Sequence, residues 1–292
     1  NPTRSNKEKN MLKRMTLIFL LSQPTAQLQA NSESGAYEIP RTYTIPIQDK
    51  QTNKQYELYI KLPEDYEKDK NKKYPVIYFT DAIWHIETLS AATEYIMEES
   101  ILVGISWQTD IADDLHQQYG AHASRFSDYS FWKKENPEHP KLKFGHAKNH
   151  LNFIKGQVFQ YVENTYRTTP DNRSYFGYSL SGLFGAYALM AAPDTFKNYI
   201  IGSPSVQLID RYKDDITFSD QKLNANVYIA HGDQETDRVE PIKTFVQKLK
   251  KRSHEALSIK YDVIQGNHQT AFPVTGINSI SWLANLQEKG KQ

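Results

Sequence analysis

Short apolar runs alternate with helix-like segments along most of the chain. Each run is continuous, which is typical of a strand that is buried on both faces of a parallel sheet. Two earlier segments, residues 41–47 and 55–62, alternate between apolar and polar positions and predict an antiparallel hairpin. Because strands that alternate with helices form mostly parallel sheets, we predict an α/β fold. The expected architecture is one twisted sheet of about eight strands with helices on both faces. The continuous runs are residues 74–80, 101–106, 173–178, 196–201, 224–230 and 257–264.

The predicted helices differ in how regularly their apolar residues recur. In the clearest helix these residues follow one another at steps of three and four, which gives one apolar stripe. The stripe consists of Leu151, Ile154, Val158, Val162 and Tyr166. Other helices are expected near residues 91–99, 183–190 and 242–249 and from about Val274. Between residues 107 and 148 the periodicity fails, so this aromatic and His-rich stretch is expected to be a long functional loop.

A candidate nucleophile, Ser179, lies between an apolar run and a helix-like segment. The surrounding Gly177-Tyr178-Ser179-Leu180-Ser181 is close to the G-x-S-x-G pattern of a nucleophile elbow, with Ser181 in place of the second Gly. A Ser at the apex of such a turn has a strained backbone, and small residues two places away avoid a clash. The turn raises the hydroxyl above the sheet, and the helix behind it supplies backbone N–H groups. We therefore predict that Ser179 is a nucleophile.

An acidic residue and a His follow the last two predicted strands. Glu235 and Asp237 come after the run 224–230, and His268 comes after the run 257–264. Loops at the carboxyl ends of parallel strands gather at one edge of the sheet, and Ser–acid–His is the chain order of α/β hydrolases. A neutral imidazole accepts the Ser proton, and a carboxylate fixes the tautomer of that imidazole. We predict His268 as the base and Glu235 as the acid, with Asp237 as the alternative acid.

Acyl transfer also needs two backbone N–H groups that stabilise the developing negative oxygen. One is expected from Leu180, which follows the nucleophile at the start of a helix. The other is expected from the loop after the run 74–80, around Ala82 or Ile83, and we take Ile83 as the donor. Asp81, which precedes them, is interpreted mainly as a turn residue that ends the strand.

Composition excludes several kinds of chemistry. The chain has 292 residues and a formal net charge of +1, which gives no global reason to expect a nucleic acid partner. The absence of Cys excludes disulfides, thiolate metal sites and a Cys nucleophile. No phosphate-binding loop or dinucleotide fingerprint occurs, and the His residues lack the spacing of known metal motifs. The sequence therefore predicts no metal and no cofactor.

The N-terminal segment has the layout of a secretory signal. From Met11 a basic stretch precedes the apolar residues 17–21, and a polar stretch ends at Ala30. Residues 1–10 are interpreted as upstream sequence. We expect export to a secreted or periplasmic location, with the catalytic domain at residues 31–292. Since the apolar stretch is too short to span a bilayer, no stable membrane insertion is expected after removal of the signal.

Together these motifs resemble the putative-esterase family of α/β hydrolases. That family includes S-formylglutathione hydrolases, feruloyl and acetyl-xylan esterases, mycolyltransferases and ferric-siderophore trilactone esterases. The resemblance implies the α/β-hydrolase fold, a small-molecule ester as substrate, Ser179 as nucleophile, Glu235 as acid and His268 as base. Two positions depart from the family, because Ser181 and Ala82 stand where Gly is usual. The resemblance is carried by residues 74–82, 103–106, 125–129, 166–168, 177–184, 203–205, 232–235 and 266–268.

Within this family, an exported chain without a separate lid domain is most similar to the periplasmic siderophore esterases. The aromatic and basic residues of the stretch 107–148 suit a bulky, anionic aromatic ligand. We expect Trp84, Arg125 and Trp132 to contact the substrate. Some siderophore esterases resemble Ser–His dyads, so the need for Glu235 stays open. The alternative functions are a feruloyl or acetyl esterase of carbohydrates, an acyltransferase, and a non-catalytic binding protein.

Overall fold

Eight strands among the described residues form one sheet. The computed structural model describes residues 36–133, 137–253 and 258–290, and the chain from Ile39 onward forms one unit. The predicted signal segment, from Met11 to Ala30, lies outside the described residues. All predicted strands are present, although β5 begins earlier than expected, at Thr168. The strands are β1 (Thr42–Gln48), β2 (Gln55–Lys61), β3 (Tyr74–Thr80), β4 (Ile101–Ile105), β5 (Thr168–Tyr178), β6 (Asn198–Gly202), β7 (Asn226–Gly232) and β8 (Ile259–Ile264).

The strand order across the sheet is β1-β2-β4-β3-β5-β6-β7-β8. The hairpin of β1 and β2 is antiparallel, and β2 also pairs antiparallel with β4. From β4 to β8 every pair is parallel, which confirms the predicted α/β class. In the sheet, β4 lies on one side of β3 and β5 lies on the other. The carboxyl ends of β3 and β5 therefore flank the kind of crevice in which open α/β sheets bind ligands.

Helices cover both faces of this sheet. The side chains of β3 show the two layers, because Val76 and Tyr78 belong to one core cluster and Ile77 and Phe79 to the other. No helix among the described residues is long and apolar enough to cross a membrane. The helices are α1 (Ala82–Ile96), α2 (Asp113–Tyr119), α3 (Ser124–Asp128), α4 (Ala147–Phe153), α5 (Phe159–Thr165), α6 (Leu180–Ala191), α7 (Gln207–Arg211), α8 (Val239–Arg252) and α9 (Ala271–Gly290). A π-helical turn, Ile154–Val158, joins α4 to α5.

Two expectations about helices and loops are wrong in extent. The helix expected near residues 91–99 begins at Ala82, directly after β3, and ends at Ile96. The stretch 107–148, expected to be a loop, contains α2, α3 and the first residues of α4. These helices are short, and α2 buries none of its residues, so no apolar stripe marks them in the sequence.

Candidate functional site

Ser179 lies at the turn between β5 and α6. Its backbone has φ 61° and ψ −121°, which is strained for a residue with a side chain. The turn is tight, because a Cβ atom on Gly177 would lie 2.3 Å from the carbonyl oxygen of Ser181. The N–H of Ser179 donates to the carbonyl of Gly202 at the end of β6, over 2.8 Å. The turn therefore fixes Ser179 at the carboxyl edge of the sheet.

Ser181 fits the place where the family usually has Gly. Its side chain is buried, and its hydroxyl donates to the carbonyl of Tyr178 over 2.8 Å. The same oxygen accepts the N–H of Tyr178 over 2.9 Å. Both polar groups of the turn thus find partners, so this departure is accommodated without an unpaired buried group.

His268 lies between Ser179 and Glu235. Its Nε2 atom is 2.9 Å from Ser179 Oγ, and its Nδ1 atom is 2.6 Å from Glu235 Oε1. A proton on Nδ1 is donated to the carboxylate, which leaves Nε2 able to accept the proton of the hydroxyl. Asp237, the alternative acid, is exposed to solvent in the turn Thr236–Arg238. The carboxylate beside the imidazole is that of Glu235.

Glu235 is buried and is held by three groups besides His268. The N–H of Gly232 donates to Oε2 over 2.8 Å, and the Ser203 hydroxyl donates to the same oxygen over 2.5 Å. Arg238 Nε lies 2.8 Å from Oε1. Burial acts to raise the pKa of Glu235, but the hydrogen bonds from Ser203, Gly232 and His268 outweigh it and lower that pKa below its ordinary value. The carboxyl group is therefore ionised at neutral pH.

Sequence reasoning assigns no role in the site to Ser203 or Arg238. Ser203 follows β6 at the carboxyl edge of the sheet, and its backbone lies in the left-handed region with φ 40°. The Arg238 guanidinium donates to the carbonyl of Ser203 over 2.7 Å and to Ser205 Oγ over 2.9 Å. The position of Ser203 at a strand end is a signal that could have found it. Arg238 has no such signal beyond its spacing from Glu235.

Backbone contacts tie the acid loop to the base loop. The N–H of Asp233 donates to the carbonyl of Ile264 over 2.7 Å, and the N–H of Gly266 donates to Asp233 Oδ1 over 2.9 Å. The Tyr178 hydroxyl donates to the carbonyl of His268 over 2.7 Å, so the base loop is also bound to the elbow. The relative positions of the acid, base and hydroxyl groups therefore depend on contacts between three neighbouring loops.

The two predicted oxyanion donors lie at helix N-termini. Leu180 is the first residue of α6, and Ile83 is the second residue of α1. In α1 the N–H groups of Trp84 and His85 are already bonded to the carbonyl of Asp81, over 2.9 and 3.2 Å. The N–H group of Ile83 precedes these bonds and has no acceptor within the helix. Ile83 thus belongs to a helix rather than to the loop that the sequence predicts.

Asp81 is more than the turn residue that the sequence suggests. It is fully buried, and its backbone lies in the left-handed region at the start of α1, with φ 55°. Arg125 donates to both carboxylate oxygens, from Nε over 3.1 Å and from Nη2 over 2.7 Å. Trp107 Nε1 donates to Oδ1 over 2.6 Å. Burial acts to raise the pKa of Asp81, but Arg125, the nearby His85 and the hydrogen bond from Trp107 together outweigh it and lower that pKa. Two of the five donors of Arg125 are therefore committed to this ion pair.

A cleft of about 510 Å³ is lined by Ser179, His268 and two of the three residues predicted to contact substrate. These two are Trp84, which is 45% exposed, and Arg125, whose guanidinium carbon lies 4.9 Å from the centre of the Trp84 ring. Trp132 does not line this cleft, which corrects the third expectation. Its ring stacks instead on Phe144 and Tyr212, with centroids 5.9 and 5.5 Å away. Among the described residues, no group of three or more His, Cys, Asp or Glu side chains is placed to hold a metal ion.

Known proteins share this sequence pattern. The family model described as "Putative esterase" matches residues 50–281. Over 200 residues the chain is 26% identical to the ferri-bacillibactin esterase BesA of Bacillus subtilis (strain 168). That alignment spans 64% of this chain and 66% of the relative, which is just under two thirds of the relative's length.

Solved structures share the fold. The BES protein from Bacillus cereus superposes with a TM-score of 0.70 at 20% identity, over 86% of this chain and 97% of that chain. An IroE-like serine hydrolase from Shewanella oneidensis superposes with a TM-score of 0.65 at 18% identity, over 84% of this chain and 79% of that chain. These likenesses confirm the predicted α/β-hydrolase fold. Since the family model covers most of the sequence, the chain belongs to the putative-esterase family.

Proposed function

We propose that this chain hydrolyses carboxylic esters through an acyl-enzyme intermediate on Ser179. The observation that carries the proposal is the hydrogen-bonded path from Ser179 through His268 to Glu235, with distances of 2.9 and 2.6 Å. A Ser hydroxyl is a poor nucleophile until a neutral imidazole accepts its proton, and this geometry provides that acceptor. Ser179 is therefore assigned as nucleophile, His268 as general base and Glu235 as the acid that orients it.

The proposed reaction has two steps of the same kind. His268 Nε2 accepts the proton as Ser179 Oγ attacks the ester carbonyl, and the ring then returns that proton to the departing alkoxide. Water, deprotonated by the same ring, attacks the acyl-enzyme, releases the carboxylic acid and restores Ser179. The backbone N–H groups of Leu180 and Ile83 are the proposed donors to the negative oxygen in both steps.

As substrate we propose a bulky aromatic ester of the catecholate trilactone type. The matched relative BesA is named as an esterase of ferri-bacillibactin. In this chain the exposed Trp84 ring can stack on an aromatic group, and the Arg125 cation beside it attracts negative charge. Rates of hydrolysis are compared across catecholate trilactones, feruloylated sugars and short p-nitrophenyl esters. The trilactones should be preferred, and a preference for the sugar esters would reject this assignment.

Labelling with a fluorophosphonate tests the nucleophile. Ser179→Ala should abolish labelling and lower kcat by about 10⁴-fold or more, because it removes the hydroxyl that forms the acyl-enzyme. The matched control is Ser281→Ala on α9, which should keep both labelling and turnover. A folded Ser179→Ala variant that retains wild-type activity would reject the mechanism.

We also propose that the protein is exported, with cleavage after Ala30. The support is the basic, apolar and polar order of the segment from Met11 to Ala30. Fractionation of expressing cells, followed by mass spectrometry of the N-terminus, tests this. A mature chain that begins at Asn31 outside the cytoplasm is expected, and an uncleaved cytoplasmic chain would contradict the proposal.

A further inference from the structure

His85 is a buried imidazole in the cleft that has no part in the proposed reaction. It lies in the first turns of α1, is 4% exposed, and lines the same cleft as Ser179 and His268. Its ring stacks on Phe272, with centroids 5.0 Å apart, and meets the Phe176 ring edge-on at 5.3 Å. These contacts hold the imidazole in one orientation.

The protonation state of His85 follows from its neighbours. Nδ1 lies 2.8 Å from the carbonyl oxygen of Thr80. A carbonyl oxygen can only accept a hydrogen bond, so Nδ1 carries the proton. Burial lowers the pKa of His85 to about 4, although the nearby Asp81 carboxylate opposes this shift. At neutral pH the ring is uncharged, and its Nε2 atom presents a lone pair.

That lone pair has no hydrogen-bond partner among the described residues. In contrast to both ring nitrogens of His150, Nε2 of His85 is not enclosed by the protein. An acceptor held in a largely apolar wall gains free energy when a donor reaches it. Because the His85 ring lines the cleft, a ligand in the cleft can supply that donor.

The other side-chain acceptors along the cleft outside the catalytic residues are already engaged or face solvent. Both carboxylate oxygens of Asp81 accept hydrogen bonds from Arg125. The Tyr178 hydroxyl donates to a backbone carbonyl, and Gln269 is exposed. His85 Nε2 is thus a fixed acceptor, set in a buried side chain, that no protein donor occupies.

We propose that His85 Nε2 accepts a hydrogen bond from the bound substrate, so that the enzyme selects esters carrying a hydroxyl or amide N–H donor beside the scissile bond. This inference rests on the proposed function, since it concerns the same cleft. A site that is built to pair a polar group disfavours an analogue without the matching group, because the protein group then stays unpaired. The donor is either the hydroxyl of an aromatic acyl group or the N–H of an acylated amino acid.

Two matched pairs of esters distinguish these donors. The hydroxyl pair consists of p-nitrophenyl esters of N-(o-hydroxybenzoyl)serine and N-(o-methoxybenzoyl)serine. The amide pair consists of the p-nitrophenyl esters of N-benzoylserine and its N-methyl derivative. For each pair, kcat/KM is measured with the wild-type chain and with His85→Asn. The Asn amide can still donate to Thr80, but it lacks the acceptor at the position of Nε2.

The wild-type chain should favour the donor-bearing ester of at least one pair by about 10-fold or more. In His85→Asn that ratio should fall to within about two-fold, and the pair affected identifies the donor. His85→Phe keeps a ring against Phe272 and should lose the preference as well, which guards against a folding defect in either variant. His116→Asn, at an exposed position of α2, is the matched control and should keep the wild-type ratios.

Two results would overturn the inference. One is a wild-type chain without preference in either pair, and the other is a folded His85 variant that keeps the wild-type preference because kcat/KM falls equally for both members of the discriminated pair. The last result would mean that His85 only supports the fold. Failure of the proposed function looks different, because the wild-type chain would then hydrolyse none of the esters and would not react with a fluorophosphonate.

Discussion

The carboxylate of Glu235 contacts three other groups besides the imidazole of His268. One oxygen contacts His268 and Arg238, and the other accepts from Ser203 and the N–H of Gly232. Such a carboxylate cannot rotate away from the imidazole, so the tautomer with a proton on Nδ1 is fixed before substrate arrives. This arrangement favours a working triad over the Ser–His dyad that the family resemblance leaves open.

Replacement of Glu235 tests that choice. Glu235→Gln keeps the size of the side chain but removes the charge that stabilises the imidazolium, so kcat should fall by about 10²- to 10⁴-fold. The matched control is Asp237→Asn, which removes the other candidate acid at an exposed position and should leave kcat within about two-fold. Steady-state kinetics on one ester measures both. A loss in Glu235→Gln of less than about 10-fold would indicate a dyad.

At the scale of elements, the sequence predicts strands better than helices. Five of the six parallel strands lie inside the sheet, and their buried residues are mostly apolar, so these runs are visible without alternation. The sixth, β8, is an edge strand whose residues are mostly partly exposed. The start of α1 is not predicted from the sequence, because beside the cleft some apolar residues of this helix are exposed and some polar residues are buried. Ile83 and Trp84 are exposed there, whereas His85, Ser90 and Thr93 are buried. The buried Ile86 and Leu89 still lie at a helical step, but the exposed apolar residues and the buried polar residues mask that stripe in the sequence.

The prediction of the site from the sequence is limited in a similar way. Ser179, Glu235 and His268 can be predicted because each follows a strand, and topology alone brings strand ends to one edge. Arg238 and His85 are different, because their roles depend on what their side chains meet in three dimensions. An Arg in a turn and a His in a helix have many possible partners, and the sequence does not choose among them.

The substitution of Gly by Ala is expected to have opposite effects at two positions that lie in different elements. In the elbow, Gly177→Ala places a Cβ 2.3 Å from a backbone oxygen, so the turn must open and activity should fall. In the π-helical turn Ile154–Val158, a Cβ on Gly156 has no heavy atom within 4 Å and φ is not positive. Gly156→Ala should therefore stabilise the protein, by about 0.5–1 kcal/mol.

Calorimetry and ester hydrolysis measure both variants. Gly156→Ala should raise Tm by about 1–4 °C and leave turnover unchanged. Gly177→Ala should lower Tm and reduce turnover by at least about 10-fold, since a displaced Ser179 misses the geometry that its attack requires. Wild-type turnover in Gly177→Ala would show that the elbow does not need a residue without a side chain.

At the scale of the whole molecule, the polar residues of the site lie along one edge of the sheet. Each of the six parallel strands delivers at least one residue of the site or its supports to that edge. These residues are Asp81 after β3, Trp107 after β4, Ser179 after β5, Ser203 after β6, Glu235 after β7 and His268 after β8. Function therefore depends on the register of the whole sheet, and any loss of that register affects the site as a unit.

The molecule as a whole should also be sensitive to acid. Burial lowers the pKa of His85, His122, His146 and His150. Below the ordinary His pKa, these side chains are therefore protonated in the unfolded chain while they are still neutral in the folded chain. The resulting stability is fully present above the ordinary His pKa of about 6.5 and is lost as the pH falls toward the folded values. Buried carboxylates with lowered pKa add to the loss at lower pH, and Asp81 is the clearest case.

His150 is the residue at which this can be tested without touching the cleft. Its ring is buried among Tyr56, Tyr129, Phe153 and Phe184, and neither ring nitrogen has a hydrogen-bond partner among the described residues. Burial lowers its pKa, although Asp128 opposes the shift. His150→Leu removes a group that must stay neutral in the folded state. As the pH falls below the ordinary His pKa, keeping this group neutral costs the folded state free energy that the Leu variant does not lose.

The measurement is Tm by calorimetry at about pH 7.5 and about pH 5. In the wild-type chain Tm should drop between these values, and in His150→Leu the drop should be smaller, because the variant has no imidazole that must stay neutral in the folded state. His116→Gln, at an exposed position, should show the full wild-type drop. The sign of the change in Tm is decisive. If the unpaired imidazole were charged in the folded state, the wild-type chain would gain stability in acid. An equal drop in both proteins would mean that His150 takes up its proton without unfolding, which requires water or a carboxylate such as Asp128 to reach the ring.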